Sequence, residues 1–446
     1  MTRDPLNRPT PDALPKGFTP IASQNAIMSV DWESRVDFDR LRRYRMQRVQ
    51  AELKASDLGA LLLYDMNNIR YTTAAHIGNW ARDKYFRCVL ITRDEDPVMW
   101  DIGSAAKQHQ MHNPWIAKGN WRPVVSSWRG SIPEDVGVER ANGKKLADLL
   151  RERGLQNEPV GVDVIEIPVL KALEAEGLAI VNGEPLMQRA RAIKSVDEVS
   201  LLETAATMVD AAYDELFRQI RVGAKESEMV AVVNSVLYNM GSEYVEAVNA
   251  VSGERCSPHP HVFSDRFLRP GDMAYYDIIH SFMGYRTCYY RCVAVGGAND
   301  KQRDCYKRAR EYMDNAIAEI RPGASSADIV RHFPKATDFG FASEEEAFGL
   351  QYCHGIGVGL WETPLMSRYH SFDHPIYLEE GMVFAIETYW PSSDGSAAAR
   401  IEEEIEVTAS GARLSTKFPA QELLIAGQRY WNGHAFAHGA NELKKD

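Results

Sequence analysis

The sequence has no apolar run long enough to cross a bilayer, no close pairing of cysteines and no surplus of basic charge. Each absence removes a class of function. A membrane-spanning helix needs about twenty mainly apolar residues in a row, so no membrane role is expected. The six cysteines (Cys88, Cys256, Cys288, Cys292, Cys305, Cys353) are scattered, with neither a disulfide framework nor a Cys-x-x-Cys metal spacing. A reducing cytoplasm is the setting this implies. Lys and Arg number 51 against 62 Asp and Glu, a net charge of −11 that works against nucleic acid as a partner. The opening segment, 1–30, lacks the basic, apolar, small-residue progression of a secretory signal and reads as an irregular arm.

What remains is ordinary globular material. With 446 residues, 45% hydrophobic and 25% charged, the chain suits two domains. The stripe Phe38, Leu41, Val49, Leu53 predicts a helix that ends at Ser56 to Gly59, before the buried-strand run Ala60 to Tyr64. Strand-like runs at Cys88 to Thr92 and Val98 to Trp100 follow, then helical patterns near Gly143 to Arg153 and Val169 to Gly177. Together they predict an α/β domain over 31–187. Ser195 and Glu198 then stand at capping-box spacing before Leu202, Ala206, Val209, Tyr213, Leu216 and Ile220, a helix stopped by Gly223. The segment IRVGAKESEMV, from Ile220, recurs as IRPGASSADIV from Ile320, again between two helices, so residues 188–446 read as two similar halves.

Four stretches place an acid or a His inside a strand-like apolar run: Gly271 to Arg291, Tyr352 to Pro364, Glu379 to Trp390 and Ala399 to Val407. A charge there is costly unless it is paired, metal-bound or facing a wet pocket. One such residue is explained by a satisfied buried polar group. Four in order point to a site.

These stretches resemble the pita-bread superfamily of methionine aminopeptidase, aminopeptidase P and creatinase, across residues 38–430. The resemblance implies a creatinase-like amino-terminal α/β domain followed by a pseudo-symmetric pita-bread α/β catalytic domain. It also implies a metal set of Asp277, His354, Glu387 and Glu402, with Glu387 33 residues beyond His354 and Glu402 15 further on. His259, 18 residues before Asp277, matches a substrate-contacting His, with His261 as its rival. His259, Asp277, His354 and Glu387 are therefore the catalytic candidates. His261, Tyr290, Trp361 and Tyr389 are substrate-binding candidates, as are Trp80 and Arg82 in a loop that covers the partner's site in a homodimer.

Two departures carry as much meaning. The superfamily's second Asp falls on Cys288, and the second His of its peptidase motif falls on Trp361. Losing the bridging carboxylate argues against a dinuclear site and ordinary peptide hydrolysis. One divalent ion (Zn, Mn or Fe) is expected, with a metal-free site as the other reading, in which Glu387 holds or protonates substrate and a His acts as base. Cys288 itself reads as a buried filler of the Asp's space, the other reading being a thiolate ligand for a softer ion. The expected substrate is a small non-peptide molecule, cleaved by C–N hydrolysis or by elimination. The alternatives are a lyase acting on an aromatic compound, a one-metal Xaa-Pro peptidase and a non-catalytic binding module.

Overall fold

The computed structural model describes residues 36–428, apart from 77, 79–86 and 126–127, together with the backbone of Tyr430–Trp431 and His434–Ala435. Trp80, Arg82 and the arm 1–30 lie outside the described residues. The chain divides between Arg191 and Ala192 into two compact units.

The amino-terminal unit is built on a six-stranded sheet. Its strands are β1 (Ala60–Leu63), β2 (Cys88–Thr92), β3 (Val98–Ile102), β4 (Trp121–Val124), β5 (Val160–Val162) and β6 (Ile180–Asn182), in the order β4-β3-β2-β1-β5-β6. Helices α1 (Phe38–Lys54), α2 (Met66–Thr73), α3 (Gly103–His112), α4 (Val138–Glu152), α5 (Ile167–Ala175) and α6 (Glu184–Ala192) complete it. Leu41, Val49 and Leu53 are the buried stripe of α1, as their spacing predicts, and Asp37 caps that helix through the amides of Asp39 and Arg40.

The second unit opens with α7 (Val196–Gln219), where the Ser195/Glu198 capping box forms in both directions. Next come α8 (Glu226–Asn239), β7 (Tyr244–Ser252), β8 (Met273–Phe282) and β9 (Tyr285–Val295), then α9 (Asp300–Ala318), α10 (Ser326–Val330), β10 (Tyr352–Gly355), β11 (Glu362–Met366), β12 (Val383–Pro391), β13 (Ala398–Thr408), β14 (Gly411–Leu414) and β15 (Leu424–Ala426). One sheet runs β15-β9-β8-β7, the other β11-β10-β12-β13-β14. Among the described residues no helix is long and apolar enough to cross a membrane.

The internal repeat is visible bond by bond. The amides of Gly223 and Gly323 donate to the carbonyls of Leu268 and Leu378, each at 2.8 Å, and the amides of those leucines return bonds to Ala224 and Ala324, again at 2.8 Å. Both glycines have φ near +84° (85° and 83°), a conformation that explains why IR-x-GA recurs with Gly at that place. Further along, Gly271 and Gly381 bond the carbonyls of Val295 and Val407 at 2.8 and 2.9 Å. Asp277 on β8 and Glu387 on β12 thereby take corresponding positions in the two halves.

Candidate active site

Period-two alternation decides which acids meet. Cα register sets Tyr352 of β10 opposite Glu387 of β12, and Glu387 opposite Glu402 of β13. Two carboxylates facing each other across neighbouring strands repel, so each needs its own compensation. Glu387 has it in Arg400, two residues before Glu402 and on the same face of β13. The Arg400 Nε donates to Glu387 Oε2 at 3.1 Å and its Nη2 donates to the same oxygen. Both side chains are buried, and the guanidinium also lies 4.6 Å over the Tyr290 ring.

Glu402 is fully buried, and its Oε1 accepts no hydrogen bond. His354 Nε2 lies 3.5 Å from that oxygen. The other ring nitrogen, Nδ1, donates to the Leu360 carbonyl at 2.9 Å, which leaves the Nε2 lone pair turned inward. From the other sheet comes Cys288 of β9, whose Sγ is 3.9 Å from Glu402 Oε2 and 3.4 Å from Asp277 Oδ1. One donor atom each from Cys288, His354 and Glu402 lies within 4.8 Å of the others. Asp277 is held by Asn249 Nδ2 at 2.8 Å.

Burial sets the electrostatics. It raises Asp277 to about 6, helped by the charge of Glu387, and raises Glu402 well above the carboxylate range, helped by Glu387 and Asp277. Glu404, fully buried, is pushed up to about 8 by burial although Thr287 and the Cys288 amide donate to it. The Cys288 thiol is raised by burial, and the His354 imidazole is lowered by it. A buried, unpartnered carboxylate oxygen beside an inward imidazole and a thiol is a donor set that fits one divalent ion.

The sequence candidates divide on this geometry. His354 and Glu402 come together as expected, Glu387 is engaged by a guanidinium, and Asp277 stands behind Cys288. Cys288, read first as filler and second as a thiolate ligand, stands among the donors, where the second reading would place it. His259 is the buried member of its pair: its Nε2 bonds the Tyr290 hydroxyl at 2.9 Å, its Nδ1 has no partner, and burial lowers its pKa. His261 is exposed, its ring 4.2 Å from that of His259. Tyr290 and Tyr389 are buried, and the Tyr389 hydroxyl donates to the Cys256 carbonyl at 3.2 Å. Trp361, 53% exposed, lies with its ring 4.7 Å from His354 and 5.6 Å from Tyr352, nearly parallel to the latter at 14°. Sequence reasoning missed Arg400, Asn249 and Tyr352. The Arg in the apolar run AARIEE was the signal for the first, since a buried guanidinium demands an acid nearby.

Residues 200–409 match the model of metallopeptidase family M24, and residues 45–193 match that of the creatinase/prolidase N-terminal domain. The chain belongs to the pita-bread superfamily. It is an enzyme, a hydrolase or a lyase. Dimethylsulfoniopropionate lyase DddP of Roseovarius nubinhibens is 26% identical over 406 residues, 87% of this chain and 88% of that protein. The Xaa-Pro dipeptidase of Pyrococcus furiosus is 29% identical over 240 residues, 52% of this chain and 66% of its own length. Among solved structures, an Xaa-Pro dipeptidase from Bacillus anthracis superposes with a TM-score of 0.69 over 86% of this chain and 99% of that one, at 22% identity, which speaks to the fold.

Proposed function

We propose that this pita-bread enzyme is a lyase that eliminates a leaving group from a small non-peptide substrate carrying an onium or flat aromatic group. The observation that carries the reading is Trp361, an indole face set 4.7 Å from His354 at the place where the superfamily's peptidases offer a second imidazole. Indole N–H exchanges no proton near neutrality, whereas its face binds cations and rings. The match to the lyase DddP over 87% of this chain and 88% of that protein supports the same reaction class.

The residues divide the work as follows. Trp361, backed by Tyr352, takes the cationic or planar end of the substrate. Asp277, whose pKa of about 6 suits proton exchange at neutral pH, is the base that removes a carbon-bound proton as the leaving group departs. Arg400 holds Glu387 in place, and His259 fixes the hydroxyl of Tyr290, the residue that pairs with Asp277 in the β8–β9 register. A divalent ion held by Cys288, His354 and Glu402 would supply positive charge for an anionic end of the substrate.

We propose also that the working unit is a homodimer in which one amino-terminal domain covers the partner's site. The exposed aromatics Phe348, Trp361, Tyr369 and Phe372 of the catalytic unit support a covered face. Six free, buried cysteines are consistent with the cytoplasm.

The test offers the enzyme sulfonium and quaternary-ammonium carboxylates, small N-substituted amidines and Xaa-Pro dipeptides, and identifies products by mass spectrometry. An unsaturated product from the onium class is expected. Hydrolysis of the C–N substrates alone moves the enzyme to the creatinase type of chemistry, and brisk dipeptide turnover defeats the reading altogether. Trp361→His should raise dipeptide turnover by about tenfold or more while weakening onium binding.

A further inference from the structure

We propose that Cys288 is a metal ligand, and that with His354 and Glu402 it makes a mononuclear site selecting thiophilic ions such as Zn²⁺ or Fe²⁺ over Mn²⁺, Mg²⁺ and Ca²⁺. Three independent features converge on one point. The donors arrive from β9, β10 and β13, strands of two different sheets, yet sit within 4.8 Å of one another. His354 is already oriented, with Nδ1 spent on the Leu360 carbonyl and Nε2 facing Glu402 at 3.5 Å. Glu402 Oε1, on a side chain with no exposed surface, has no hydrogen-bond donor, a cost that a cation removes.

Charge and stoichiometry agree. When the ion binds, the Cys288 S–H bond breaks, an S–metal bond forms and the thiol proton leaves to solvent, together with the proton of Glu402 where burial has kept that acid protonated. One thiolate and one carboxylate then neutralise a 2+ ion around a neutral imidazole, which is the ordinary balance of a buried site. A second ion finds no free bridge, because Arg400 engages Glu387, while Asn249 and the Cys288 side chain engage Asp277. Sulfur also sets the preference: soft thiolate favours Zn²⁺, Fe²⁺ or Co²⁺, whereas an all-oxygen carboxylate site suits Mn²⁺, Mg²⁺ and Ca²⁺. The inference holds whichever reaction the enzyme catalyses.

Full-length protein stripped by chelation and titrated with Co²⁺ alone tests it without any substrate. The expected result is a near-ultraviolet thiolate-to-cobalt charge-transfer band that saturates at one ion per chain. C288S should bind Co²⁺ about tenfold or more weakly and show no band, and C288D should narrow the Zn²⁺-to-Mn²⁺ affinity ratio by a similar factor. A circular dichroism spectrum confirms that each variant is folded. No band in the wild type, a band that persists in C288S, or two ions bound per wild-type chain with similar affinity would each overturn the proposal. Should a variant fail to fold, the wild-type spectrum and stoichiometry decide alone.

Discussion

Glu402, Glu403 and Glu404 are chemically identical neighbours with three different lives. Strand alternation sends Glu402 and Glu404 to the site face and Glu403 to the other. There Glu403 meets Arg291 at 2.9 Å and Arg310 at 3.0 Å, and accepts from Thr416. Arg291, itself buried, also donates to the carbonyls of Glu402 (2.6 Å), Tyr290 (3.0 Å) and Phe418 (2.9 Å), so it ties β13 to β9 directly behind the site. Breaking a buried ion pair from one side costs about 3–5 kcal/mol. Arg291→Leu should sit at the lower end, about 3 kcal/mol, because Arg310 still faces Glu403. Urea unfolding measures it, and a loss under about 1 kcal/mol would show that the tie contributes little.

Individual elements carry their own tests. On β8, His280 points away from Asp277 toward α7, its Nε2 donating to the Ala205 carbonyl at 2.9 Å and its Nδ1 bonded to the Ser242 hydroxyl at 3.0 Å. Burial lowers its pKa to about 4. The unfolded chain, with an ordinary imidazole near 6.5, takes the proton first. The stability owed to this group is therefore complete above pH 6.5 and is lost as pH falls through 4, to about 3 kcal/mol. His280→Gln should be less stable at pH 8 yet lose less on acidification, which paired denaturation curves at pH 4.5 and 8 will show; parallel curves would sink the assignment. The turn after β10 is the second case. A Cβ on Gly355 would meet the backbone oxygens of Glu362 and Thr363 at 2.6 Å each. Glu362 in turn accepts from the Gly359 amide at 2.7 Å and pairs with buried Lys194 at 3.0 Å, so this acid clamps the loop that carries Trp361. Gly355→Ala should cost about 1–3 kcal/mol and displace the indole, read as a shift in tryptophan fluorescence. An unchanged spectrum and melting curve would mean the strand gives way freely.

For the molecule as a whole, native mass spectrometry should find twice the chain mass, and a monomer at micromolar concentration would remove the proposed cover over the site. How much of this could be seen in the sequence follows from the range of the interactions. Amphipathic stripes, the Ser195 capping box, the apolar runs of β1 to β3 and the paired IR-x-GA turns are set by residues within a few positions of one another, so pattern alone located them. The ordered acids and the His were legible for a related reason, because a charge inside an apolar strand is costly wherever it folds. The sequence determined that Asp277, His354, Glu387 and Glu402 needed partners. It could not say which partners, since Arg400 reaches Glu387 through β12–β13 register, and Cys288 reaches Glu402 only because β9 and β13, strands of two separate sheets, pack against each other. A thiol in a strand reads as packing until the fold puts an imidazole and a bare carboxylate oxygen beside it. That convergence spans 114 residues of chain between Cys288 and Glu402, and only the tertiary structure decides it.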